Sequence, residues 1–299
     1  MDALEIKNIF WEKEWKIPKT SWTIRGYSRS AYRTGFYIPE LRLMLDAGPQ
    51  NFNKPENILI THGHADHIAN LPLTLIGDNK GNHVFNVYGP EKMKEYLEKY
   101  IKSMFSLNSL EKDLQDINEW YKFNGLYPCD IFKISSNKTD LEIEVFECDH
   151  RVPTVSYGIS VIKDKLKKEY SDLKGQYIAT LKKSGTIVTE KVSFPTLAYV
   201  CDTSIEFFTL NPCVFKYPVI FIECTFILPE DIEQSISTKH IHWSQLEKYV
   251  IEHSETIFVL FHFSQKYRDS DIQHFFYRQR QIPNIFCWIN ISRDNPDFM

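Results

Sequence analysis

The sequence predicts an α/β protein of one domain, spanning residues 1–299 and carrying one insertion. Three observations predict it. Short apolar runs of strand length alternate with at least one clear helical stripe, from Glu91 to Phe105. Several of those runs end at once in a histidine, an aspartate or a glutamate. In α/β proteins that is where chemistry sits, on loops at the carboxyl ends of strands held by a rigid sheet. Prolines are scattered, and there is no solenoid repeat, low-complexity tract or linker to divide the chain.

Residues 20–48 read as short strands ending in Leu41-Arg-Leu-Met-Leu-Asp46-Ala-Gly48, with Leu41, Leu43 and Leu45 alternating as in a half-buried strand. Asp46 at its end either caps the turn or orients a metal-binding histidine. The next strand, Ile58 to Ile60, runs into His62-Gly-His-Ala-Asp-His67. His62, His64, Asp66 and His67 crowd one short turn. A folding core does not want them there, but a metal does, because its ligands must converge on one point. Imidazole and carboxylate suit zinc-like ions, with Zn–N near about 2.0–2.1 Å.

Ile68 to Ile76 reads as a helix start, followed by a loop at Gly77, Asn79, Gly81 and Asn82, then a strand from Val84 to Tyr88. In the helix Glu91 to Phe105, the residues Met93, Tyr96, Leu97, Tyr100, Ile101 and Met104 recur at three- and four-residue spacing, the pattern of a core face. Residues 106–140 carry little pattern. Leu141 to Glu147 alternates strictly, as a strand with one face to solvent, and ends in Cys148-Asp149-His150. Thr196 to Val200 ends in Cys201-Asp202, Pro218 to Ile222 in Glu223, and Thr256 to Phe261 in His262. Each alone has a bland reading as a turn or half-buried polar residue; together they argue for one shared site. His62, His64 and His150 can hold one ion, and Asp66, His67 and His262 a second, with Asp202 bridging. Two such ions about 3.5–4 Å apart polarise a phosphodiester and generate hydroxide near neutral pH.

Hydrophobic residues make up 43% and charged residues 25%, which excludes a disordered chain; the formal net charge of −4 announces no global nucleic-acid binder. The six cysteines lack a C-x-x-C pair and read as buried reduced thiols. No apolar signal region and no membrane span are evident, so the expected location is cytoplasmic or nuclear.

In order along the chain, the His cluster, Asp149-His150 with Val152-Pro153 and Ser156-Tyr157-Gly158, Asp202-Thr203, Glu223-Cys-Thr-Phe226, His240 and His262-Phe-Ser-Gln-Lys-Tyr267 resemble the motifs of tRNase Z. This is the tRNA 3′-end processing endonuclease of the metallo-β-lactamase superfamily. Asp164 to Tyr170 and Lys239-His-Ile-His242 resemble most closely its short plant form. The resemblance implies a four-layer αβ/βα sandwich, two zinc ions (manganese or another divalent ion as the alternative), a homodimer, and removal of the 3′ trailer from precursor tRNA to leave a 3′-hydroxyl.

The resemblance also implies roles. Asp66 holds metal and accepts the proton of the attacking water. Glu223 and His240 form the pair that protonates the leaving oxygen, with His242 competing for the histidine's place and Leu246, Tyr249 and Val250 as the buried face of a following helix. The insertion, about 161–192, corresponds to an arm that grips tRNA through Lys163, Lys165, Lys167, Lys168, Lys174, Lys182 and Lys183. Beside His262, Lys266 and Arg268 either contact phosphate or balance local acids. Two positions depart from the family: Cys201 stands where glycine is common, and Ile222 where many members carry histidine. The competing readings are a metallo-hydrolase of a small phosphodiester or thioester, and a non-catalytic RNA-binding relative.

Overall fold

The computed structural model describes residues 10–50, 54–76, 84–109, 120–279 and 281–289. The loop expected at residues 77–82 lies outside them. The first half of the chain forms one sheet and the second half another, each of seven strands. In the first, β1 (Glu14–Lys16), β2 (Thr23–Arg29), β3 (Arg33–Ile38) and β4 (Leu43–Leu45) pair antiparallel, and β5 (Asn57–Leu59), β6 (Phe85–Pro90) and β7 (Tyr121–Leu126) continue in parallel. Two short helices, α1 (Ala65–Ile68) and α2 (Leu71–Ile76), follow β5, and α3 (Lys94–Ser109) follows β6. The second sheet begins with β8 (Ile131–Ser136), β9 (Thr139–Glu147), β10 (Val155–Leu166) and β11 (Thr189–Val200), all antiparallel. After them β12 (Val219–Glu223), β13 (Ile257–Phe261) and β14 (Ile285–Cys287) lie parallel. Helices α4 (Gly175–Lys183), α5 (Phe207–Leu210), α6 (Ile232–Thr238), α7 (Trp243–Glu252) and α8 (Asp269–Tyr277) complete the chain.

Alternation along the central strands builds the layers. Leu43, Leu45 and Leu59 face Tyr199, Phe221 and Phe261 in a core between the two sheets. Their neighbours Met44 and Ile58 point the other way, under Leu71, Leu97 and Ile101 of α2 and α3. On the far side, Ile220, Ile222 and Leu260 pack under Phe207, Leu246, Val250 and Ile272. Helices therefore cover both outer faces, giving the αβ/βα sandwich. Two expectations change here. Leu41 belongs to a turn, Pro39–Leu41, and the strand after it is buried on both faces, because the second sheet covers one side and α2 and α3 the other. Tyr96 is 72% exposed, since the buried stripe of α3 runs through Leu97, Ile101 and Phe105. Of the cysteines, all free, Cys129 and Cys213 are exposed.

The insertion is a hairpin. Strand β9 stops pairing with β10 at Leu141↔Val161, while β10 and β11 stay paired out to Leu166↔Thr189. Helix α4 sits at the tip and buries none of its residues.

Candidate metal centre

The site lies where the parallel strands of both sheets end. The backbone there is bent: Asp46 after β4, Asp202 after β11 and His262 after β13 have φ of 57°, 34° and 63°. Side chains other than glycine pay for this left-handed form, and such strain gathers at functional sites. Here it turns three polar side chains across the strand ends.

The expected ligands meet in two groups. His62 Nε2 lies 2.9 Å from His64 Nδ1, and His150 Nε2 lies 3.4 Å from the same atom. Asp202 closes this group through Oδ2, 3.4 Å from His62 Nε2 and 3.8 Å from His150 Nε2. In the second group, His67 Nε2 and His262 Nε2 are 3.4 Å apart, and each is within 3.5 Å of Asp66 Oδ2. Asp202 completes it with its other oxygen: Oδ1 is 3.5 Å from His67 Nε2 and 3.2 Å from His262 Nε2. One carboxylate thus spans both groups.

The opposite nitrogens fix the tautomers. His62 Nδ1–H donates to the Thr61 hydroxyl, His67 Nδ1–H to Asp46, His150 Nδ1–H to the Lys239 carbonyl, and His262 Nδ1–H to the Thr225 hydroxyl. Each Nε2 therefore offers its lone pair to the centre. Lone pairs and carboxylate oxygens converging within 4.8 Å repel one another unless a cation lies between them, so the residues fit divalent metal ions. Burial, together with the charge of His67 beside His62, holds His62 well below the usual imidazole range, and burial also lowers His64 and His150. All three are thus kept in the ligating form. Asp202 is pulled well down by the facing histidines despite its burial, and Asp66 likewise by His262 and His67. Burial lowers His67, but Asp202, Cys201 and Asp46 more than reverse that in the absence of a cation.

Asp46 is the orienting residue of its two expected alternatives. Fully buried, it accepts from the Thr61 N–H, the Thr61 and Tyr199 hydroxyls and His67. Thr61, Tyr199 and Thr225 escaped the sequence reading; Thr61 and Thr225 lie inside quoted motifs, but nothing in a lone tyrosine marks Tyr199. Arg151 was also missed: its charge lowers His64 and His240. Cys201 packs behind the second group, its Sγ 3.2 Å from Asp202 Oδ1.

Glu223 is fully buried beside the metal groups. Its Oε1 accepts from His240 Nδ1–H at 2.8 Å and from the Thr203 N–H, and its Oε2 from the Thr225 hydroxyl and the Ile241 N–H. His240 stacks on His262 with ring centroids 5.6 Å apart. Burial works against its charge, but Glu223 more than offsets this and raises it to about 9. His242 is elsewhere. It caps α7, accepting from the Ser244 N–H and donating to the Leu228 carbonyl, so it is not the partner of Glu223.

Of the expected RNA contacts, Lys163, Lys165, Lys168, Lys174, Lys182 and Lys183 are exposed on the hairpin, and Lys167 is half-buried. Lys266 is spoken for: its ammonium pairs with Asp231 and lies 5.1 Å over the Phe226 ring. The balancing of a local acid, the second of its two expected readings, is the contact it makes here.

A β-lactamase superfamily domain profile matches residues 36–171. The chain is 28% identical to tRNase Z TRZ1 of Arabidopsis thaliana over 270 residues, 88% of this chain and 92% of that protein. It is also 28% identical to the chloroplastic tRNase Z TRZ2 of the same plant, covering 85% and 70%, and 25% identical to ribonuclease Z of Nanoarchaeum equitans, covering 75% and 72%. Among solved structures, the metallo-β-lactamase-fold protein YhfI of Bacillus subtilis superposes with a TM-score of 0.57 at 14% identity over 87% of this chain and 92% of that one. Zn²⁺-bound PqqB of Methylobacterium extorquens gives 0.57 at 12% identity over 89% and 86%. The chain thus has the metallo-β-lactamase fold and is similar to tRNase Z proteins along most of its length.

Proposed function

We propose that the protein is a metal-dependent endoribonuclease that removes the 3′ trailer of precursor tRNA and leaves a 3′-hydroxyl, using two zinc ions. The observation that carries the chemistry is Asp202 reaching one histidine group with each carboxylate oxygen. His62, His64 and His150 would hold one ion and Asp66, His67 and His262 the other. When bound, two divalent ions polarise a phosphodiester and supply hydroxide near neutral pH. Asp66, its Oδ2 facing the second group, is placed to take the proton of the attacking water. His240, held in one tautomer and kept protonated by Glu223, is placed to give a proton to the leaving oxygen.

What selects tRNA among phosphodiesters is the sequence likeness over most of the chain, supported by the lysine-bearing hairpin that projects beyond β9. The hairpin lysines supply the phosphate contacts that a protein of net negative charge needs in one place. The working form in this reading is a homodimer, to be checked by light scattering. No helix among the described residues is long and apolar enough to cross a membrane. The site of action is where precursor tRNA is matured, the cytoplasm or nucleus.

The deciding experiment incubates the zinc- or manganese-loaded protein with precursor tRNA and maps both new ends. A trailer released from a tRNA ending in a 3′-hydroxyl is expected. Full metal occupancy without cleavage rejects the proposal.

A further inference from the structure

The turn between β2 and β3 reaches the centre from a side that supplies no ligand. The Tyr32 N–H closes it on the Arg29 carbonyl at 3.1 Å, and Ala31, its third residue, has φ of 57°. Glycine normally takes that position, so an alanine there is strained. Three ties hold it. The Ser30 N–H donates to the Phe263 carbonyl at 3.2 Å, the Gln265 amide to the Ser30 carbonyl at 3.1 Å, and the Ala31 N–H to Asp66 Oδ2 at 2.9 Å. Beneath them the buried Arg29 guanidinium donates to the Ser264 and Tyr267 carbonyls and pairs with Asp269.

Asp66 Oδ2 is the oxygen that faces His67 and His262. Tyr32 is the next residue after Ala31, about 3.8 Å on between Cα atoms, so the hydrogen bond of Ala31 to Asp66 keeps the Tyr32 backbone close to the metal groups. Its ring is 44% exposed, although Tyr27 meets it edge-on at 5.9 Å and Phe10 packs at 6.4 Å. The Arg33 guanidinium lies 5.5 Å from the ring centroid. A turn that only closes a hairpin needs neither strain nor an aromatic ring left in water. A ring on a rigid support, with a cation beside it, is the chemistry that stacks an unpaired nucleobase next to its phosphate.

We propose that Tyr32 is a stacking platform for a nucleobase flanking the scissile phosphate, with Arg33 adding positive charge beside it, so that the turn sets the register of the RNA over the metals. This rests on the ribonuclease reading. Asp66 anchors the platform to the centre, which fixes the distance between the stacked base and the reacting phosphate.

The test places 2-aminopurine on either side of the cleavage point in precursor tRNA, bound to metal-loaded Glu223→Gln protein to slow turnover. Quenching at one of the two positions is expected, lost in Tyr32→Ala and kept in Tyr32→Phe. An abasic nucleotide at that position should raise KM about tenfold for the protein carrying Tyr32, and less than twofold for Tyr32→Ala. Cleavage at saturating RNA by Tyr32→Ala reports that its centre is intact. Quenching that survives Tyr32→Ala, or equal abasic penalties, overturns the platform alone. Precursor tRNA that neither binds nor is cut by the metal-loaded protein overturns the ribonuclease reading, and the platform with it.

Discussion

His62, His67, His150 and His262 each hold a different acceptor through Nδ1, so single substitutions have separable consequences. Asp46→Asn keeps the volume but weakens the acceptor that four donors use, His67 among them. Metal titration should show about a 10- to 100-fold loss of affinity with the fold retained. Replacing Glu223 by Gln removes the charge that keeps His240 protonated. The cleavage rate should fall about 10²- to 10⁴-fold while bound metal stays constant; loss of the metals would place Glu223 in the ligand set instead. With the folded value of His240 raised to about 9, the acid form predominates below that pH and is lost as pH rises through it. Bound cations pull the value down. The rate profile should therefore turn over at or below about pH 9, and His240→Ala should erase that limb. Gly48 illustrates what a sequence hides: a Cβ there would sit 1.8 Å from the Asp66 carbonyl, yet nothing around it announces that packing. The cluster was legible because three histidines and an aspartate within six residues are rare, whereas one alone is not. Thr61 and Tyr199 were not, since a hydroxyl signals nothing until the fold shows what it touches.

Secondary structure shows the same division. The buried stripe of α7, Leu246 and Val250 with the half-buried Tyr249, follows from its spacing, and the strands fall within a few residues of their apolar runs. Tyr96 departs from its expected place because a stripe drawn on residue type cannot say how wide the covering layer is. The family match favours His240 over His242 by a small margin only. The left-handed Lys239 at the end of α6 leads the chain so that His240 meets Glu223 while His242 serves as a cap. The hairpin carries its own prediction. Changing Lys163, Lys165, Lys174, Lys182 and Lys183 to Gln should weaken tRNA binding. Its salt dependence should flatten by about 0.7–0.9 in log–log slope for every phosphate no longer neutralised. Hydrolysis of a small phosphodiester should change little; equal damage to both substrates would remove the hairpin from RNA binding.

The whole molecule was legible in class, two layers of strands with chemistry at their ends, because central strands are apolar throughout and their terminators are not. Strand order simply follows the chain in both sheets, but strand direction was not legible: β3 and β4 pair antiparallel and β4 and β5 parallel, and the apolar runs themselves carry no sign of which. The metals should add to stability. Chelation is expected to lower the unfolding temperature by about 2–4 °C for each kcal/mol of binding energy removed, and added zinc to restore it. His62, His64, Asp66 and His67 follow β5 of the first sheet, whereas His150, Asp202 and His262 come from the second. In the proposed centre neither half of the chain supplies a complete ligand set, so bound metal would act as a clasp. Nicked at the turn between β7 and β8, near the exposed Tyr127, the co-expressed halves should find each other and regain activity when metal is supplied and fall apart when it is withdrawn. During synthesis, the protein would stay inert toward RNA until His262 has left the ribosome.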